Sequence, residues 1–207
     1  MQKYLVHVSL AMIVFCTSHT YAQYSEQDST YHRWYVGSTL FMLGNFATVN
    51  PPGFAQLNVG YRLTRQDALS VEFITWKYAW PLGINPFLNS AYGNPEEQYP
   101  GYIRDYGVGV AYQHYFWEGL YAAAHVMPMW QTFVNEIGAK VANGFHVFTT
   151  LRIGYHVKLF SDRLFIEPSL GVAGRVYHTE MPAGFREKDN KWSKFTPEPG
   201  LHIGMNF

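Results

Sequence analysis

The chain alternates. From Ala55 to Leu63 the odd positions are Ala55, Leu57, Val59, Tyr61 and Leu63, while the even ones are Gln56, Asn58, Gly60 and Arg62. A period of two over such a run predicts a strand with one apolar and one polar face. The same reading holds for Phe145 to Leu159, Leu164 to Tyr177 and Phe195 to Phe207. It holds with more noise for Trp34 to Leu43, Ala68 to Lys77, Tyr102 to Phe116 and Leu120 to Trp130. Together these segments predict an all-β domain of eight strands.

The connections alternate as well. Arg65 to Asp67, Trp117 to Gly119 and Ser161-Asp162 have hairpin length. Asn45 to Gly53, Ala79 to Gly101, Gln131 to Asn143 and His178 to Ser193 read as long loops. Short turns on one rim and long loops on the other describe an up-and-down antiparallel barrel. The polar face carries Gly60, Gly107, Gly109, Gly154, Gly171, Gly200 and Gly204. Glycine weakens a strand, and the narrow interior of an eight-stranded barrel supplies a reason for it. The apolar face is therefore expected outside, against lipid. Trp34, Tyr35, Trp76, Tyr78, Trp80, Tyr115, Phe116, Trp117, Trp130 and Phe160 lie near strand ends, where interfacial girdles form.

Composition narrows this further. Lys+Arg and Asp+Glu both number 15 among 207 residues, so no surplus of cations argues for nucleic acid. No apolar run reaches the roughly 18 residues of a helical span. Lys3, the apolar stretch Val6 to Phe15 and Thr20-Tyr21-Ala22 compose a leader cleaved after Ala22. Residues 23–32 then form a short N-terminal periplasmic segment, and 33–207 the barrel. The single cysteine, Cys16, falls in the leader, so the mature chain has no disulfide, thiolate metal site or cysteine nucleophile.

Leu201-His202-Ile203-Gly204-Met205-Asn206-Phe207 alternates and ends in an aromatic residue. Here the chain resembles the small bacterial outer-membrane β-barrels of the OmpA-, OmpX- and OmpW-like group. The resemblance implies short periplasmic turns, long extracellular loops, and contact with outer-membrane lipids and lipopolysaccharide. It also implies recognition of Phe207 by the barrel-assembly machinery. It is a resemblance of architecture and carries no activity.

The inferred interior holds Arg62, Glu72, Asp105, Arg152, His156, Lys158, Glu167, Arg175, Glu198 and His202. Balanced charge in a narrow tube predicts a paired network, since buried charge is costly unless paired. Counting across the turns sets His156 opposite Glu167, Lys158 opposite Phe165, Arg62 opposite Ser70 and Gly60 opposite Glu72. Arg62 then reaches Glu72 diagonally.

No catalytic residue is assigned and no metal or cofactor is implied. The primary expectation is a non-catalytic barrel with a structural or interaction role. Trp80, Phe87, Tyr92 and Tyr99 of the 79–101 loop are the candidates for recognition. Two alternatives stay open. One is a lipid A-modifying enzyme that joins His125, His146 or His202 to Ser169 or Glu198 in space. The other is a lipocalin-like soluble binder.

Overall fold

The computed structural model describes residues 31–47, 51–81 and 94–207. The proposed leader, Phe87 and Tyr92 lie outside these residues. The strands are β1 (Trp34–Thr39), β2 (Ala55–Arg62), β3 (Asp67–Tyr78), β4 (Tyr102–Trp117) and β5 (Leu120–Val134). They continue as β6 (Lys140–Tyr155), β7 (Val157–Leu159), β8 (Leu164–His178) and β9 (Phe195–Asn206). β6 and β7 are two pieces of one stave, parted at His156, and both pair with β8. Neighbours pair antiparallel throughout, and β1 pairs with both β2 and β9, so eight staves close into a barrel.

Alternation sets the faces. Ala68, Ser70 and Glu72 of β3 are buried while Leu69, Val71 and Phe73 are exposed. The apolar face is the outer one on the other staves too, through Leu57, Val108, Val110, Val126, Leu151, Ile153, Leu170, Val172, Ile203 and Met205. Trp34, Phe116, Trp117, Tyr155, Phe160 and Phe207 are exposed toward the short-turn end. Tyr106, Trp130, Tyr177 and Phe195 are exposed toward the other. Four of the expected girdle aromatics, Tyr35, Trp76, Tyr78 and Tyr115, point inward instead, because their parity places them on the polar face.

Three inward aromatics explain three of the glycines. Tyr35 pairs with Gly60, Tyr121 with Gly154 and Phe165 with Gly204. A Cβ at those glycines would stand 1.9 Å from Tyr35 Cζ, 2.5 Å from Tyr121 Cζ and 2.1 Å from Phe165 Cζ. Each ring lies across the strand over a residue without a side chain, filling the lower lumen at close packing.

The structure departs from the sequence expectation in four places. β1 stops at Thr39, whose hydroxyl accepts the Phe41 N–H, and a 3-10 segment, Leu40–Phe46, follows. β5 and β6 run on through the expected Gln131–Asn143 loop, leaving residues 135–139 as the connection. Gln131 and Phe133 continue the inward face there, and the Asn135 side chain accepts the Ala139 N–H to close the hairpin. The last long loop contains a short helix, α1 (Ala183–Asp189). Finally, Arg62 pairs with Ala68, Gly60 with Ser70 and Asn58 with Glu72, two residues from the expected register. The turn closes earlier, with Leu63 and Thr64 N–H groups both donating to Asp67 O.

Candidate functional site

The lumen is layered, and β5 reads out the layers in order through Tyr121, Ala123, His125, Met127, Met129, Gln131 and Phe133. At the short-turn end, His156 sits between two carboxylates. Its Nδ1 is 2.7 Å from Glu167 Oε1 and its Nε2 is 3.4 Å from Asp162 Oδ1. Gln113 and Tyr115 donate to Glu167, and Arg62 donates to Tyr115 Oη and Asn206 Oδ1. The expected pairing of His156 with Glu167 and the register of Lys158 with Phe165 are both present. The expected reach of Arg62 to Glu72 is replaced by Tyr115 and Asn206, a consequence of the earlier turn. Lys158 leaves the lumen: its side chain is 40% exposed on the rim, 3.4 Å from Asp162 Oδ2. Burial alone would raise the Asp162 carboxyl, but His156, Lys158 and Arg62 around it hold it below its ordinary range.

The middle layer centres on Glu72, which is 1% exposed. His125 Nδ1 lies 3.0 and 3.1 Å from its two oxygens and must donate, because a carboxylate only accepts. Nε2 of His125 is buried and has no hydrogen-bond partner among the described residues. Arg152 reaches Glu198 at 3.3 Å and donates to Ser169 Oγ at 3.1 Å, while Thr150 donates to Glu198. A cavity of about 30 Å³ lies here, lined among others by Gly37, Asn58, Glu72, His125, Arg152 and His202.

Above it lies an apolar septum of Met127, Met129, Phe148 and Ala173, packed against Ile74. Beyond the septum, Asp105 and His146 are buried with Nε2 3.0 Å from Oδ2, though not aligned as a hydrogen bond. Tyr78 donates to Asp105 Oδ2, and Gln131 donates to Tyr78.

A cap closes the long-loop end. Phe185 and Met181 from the last loop pack on Phe54, Trp76, Tyr78, Tyr99, Ile103 and Phe133. Asp189 ends α1 inside this cluster, accepting from Arg175 at 2.5 Å and Tyr99 at 2.8 Å. Arg175 thus belongs to the cap. Tyr99, expected as a recognition residue, is 3% exposed, and burial followed by the charge of Asp189 pushes its phenol well above its ordinary range. Trp80 is half-buried.

Of the hydroxyl and carboxylate weighed for catalysis, Ser169 Oγ accepts from Arg152 and donates to Gly200 O, and Glu198 accepts from Arg152 and Thr150. The sequence reading missed a polar cluster on the outer face. Asp67 accepts from Thr64, Tyr112 and His114 at 2.6, 2.5 and 2.8 Å. The β3–β4 register, which sets Asp67 opposite His114, is the signal that finds it. No protein-family model matches the chain, and no curated protein is similar to it in sequence.

Proposed function

We propose that this protein is an integral barrel of the bacterial outer membrane with a structural or interaction role and no catalytic turnover. The observation that carries the reading is the exposed apolar belt between two sets of aromatic residues. Tyr106 and Phe116 stand ten residues apart on β4, about 33 Å along the strand and about 24 Å in height at a tilt of ~45°. That matches the roughly 25 Å apolar band of a membrane barrel. A soluble barrel exposing such a continuous apolar surface would aggregate. The belt meets lipid and lipopolysaccharide chains, the lumen is filled, and the long-loop end is the face presented outward.

Membrane fractionation with heat-modifiable gel mobility tests this reading. The expected result is a membrane-bound protein that migrates faster unheated than boiled. Release into the soluble fraction without a mobility difference overturns it in favour of a soluble binder. Lipid A from cells with and without the protein is expected to give one mass profile; an acyl chain lost or gained overturns the non-catalytic reading.

A further inference from the structure

Two cations stand side by side on the outer face. Lys77 of β3 is in register with Arg104 of β4. By alternation both point outward, since their neighbours Trp76, Tyr78, Ile103 and Asp105 are buried on the lumenal side. The N–H of Lys77 donates to Pro52 O, on the β2 side. Toward β4 it therefore belongs to a non-hydrogen-bonded pair, the closer of the two antiparallel spacings. Like charges directly opposite each other in such a pair are destabilising.

No carboxylate offsets this repulsion. Among the described residues neither cation belongs to an ion pair. Residues 48–50 and 82–93, which complete the two neighbouring loops, contain no Asp or Glu. Asp105 is across the wall, where it accepts from Tyr78. Glu97 is engaged by Lys191 and Trp192.

The two side chains are nonetheless placed. Arg104 Nη1 donates to Gly53 O at 3.0 Å, and its Cζ is 5.4 Å from the centre of the Tyr106 ring. Lys77 Nζ is 5.0 Å from the centre of the Tyr102 ring. Gly53 makes room for the guanidinium, because a Cβ there would stand 2.8 Å from Nη1. Gly53 O engages one of the many N–H donors that the pair carries.

Below the cations the same two strands turn apolar. Thr75 pairs with Tyr106, Phe73 with Val108 and Val71 with Val110. Tyr106, Phe73, Val108, Val71 and Val110 are all exposed. Arg104 is two residues beyond Tyr106 of the aromatic girdle, about 7 Å along the strand and about 5 Å in height at a tilt of ~45°. That is headgroup depth, since the polar layer adds roughly 5–8 Å to each side of the hydrocarbon.

We infer that Lys77 and Arg104 bind the terminal phosphate of a membrane lipid whose chains run down over Tyr106, Phe73 and Val108. Phosphate oxygens only accept, so they can take donors from both cations and cancel the repulsion between them. A terminal phosphate carries about −1.5 to −2 charges at pH 7, which matches two cations. A headgroup that adds its own cation does not. This site rests on the membrane reading above and names the lipid group that the long-loop rim takes.

The full chain in phosphatidylcholine liposomes, with heat-modifiable mobility confirming insertion, is photolabelled with phosphatidic acid carrying a diazirine on one acyl chain. Adducts are expected to concentrate in residues 71–78 and 102–110. The matching diazirine phosphatidylcholine is expected to label there about tenfold less, the order for two cations at a membrane surface. Lys77→Gln with Arg104→Gln, both outside the lumen, is expected to abolish the preference for phosphatidic acid. Lys140→Gln with Lys191→Gln removes two exposed cations from the same end and is expected to preserve it. Adducts spread evenly round the belt overturn the site, as does equal labelling by the two lipids. An equal loss in both double variants overturns it too, since general surface charge then explains the preference. Labelling displaced by excess inorganic phosphate overturns a lipid site in favour of the free ion. A protein that does not insert at all overturns the membrane reading instead.

Discussion

Gly60 and Tyr35 show how one position decides a barrel's filling. A methyl group at Gly60 would lie inside the Tyr35 ring, which is itself buried. Gly60→Ala is therefore expected to destabilise by about 1–3 kcal/mol, the usual cost of overpacking. In a Tyr35→Ala background the same change is expected to be nearly neutral, because its target is gone. Urea unfolding in micelles, followed by tryptophan fluorescence, gives the four values of this cycle. Additive effects would mean that the ring and the glycine do not share the space. Asp162 makes a second case, at the rim. Its carboxyl is held below its ordinary range, so the stability it contributes is present above the usual carboxylate pKa and fades as pH falls through the lowered value. Asp162→Asn is expected to cost about 1–3 kcal/mol at pH 7, the order for a buried charged hydrogen-bond network. The gap between variant and parent is expected to shrink in acid. A gap that stays constant from neutral pH to acid would remove the carboxylate charge from the account.

At the level of elements, what was legible in the sequence was what period two encodes. The alternating segments, the faces of Glu72 and Leu69, and the pairing of His156 with Glu167 follow from local pattern plus a correct turn. Pattern did not locate element ends, which depend on side-chain caps. Thr39 ends β1, and Asn135 lets β5 and β6 project as a hairpin. It did not fix the β2–β3 register, because a two-residue slip preserves both faces. The cap was illegible for another reason. The segment from His178 to Ser193 reads as a long loop, yet Asp189 and Phe185 are buried through partners distant in sequence. Phe185 is 2% exposed, and α1 has only seven residues, too short to persist without its apolar contact. Phe185→Ala is expected to release the cap alone. Limited proteolysis should then nick within residues 179–194 while the strands stay protected and heat-modifiable mobility is retained. Loss of strand protection in the same digest would show that the cap and the barrel fold as one unit.

For the whole molecule, the layers decide whether anything crosses. Polar layers lie on both sides of the Met127–Met129–Phe148 septum, and each holds acid, base and hydroxyl groups in contact. An ion leaving either polar layer must enter a stretch lined by thioether, phenyl and methyl groups. That offers no oxygen or nitrogen to replace its hydration. The cap above adds a second barrier, whereas the cluster of His156, Arg62 and Tyr115 at the opposite end is polar and borders a cavity of about 50 Å³. An eight-stranded barrel has no spare diameter to route water round these obstacles. The native protein is accordingly expected to give no stable conductance steps in planar bilayers. Met127→Ala, Met129→Ala and Phe148→Ala together remove the septum while leaving the outer belt and the polar layers in place. With the cap loosened by Phe185→Ala, small conductance steps are expected to appear. Steps in the native protein would mean that the septum does not seal. Silence in the combined variant, with its heat-modifiable mobility intact, would move the seal to the short-turn end, where Arg62, Tyr115 and His156 stand.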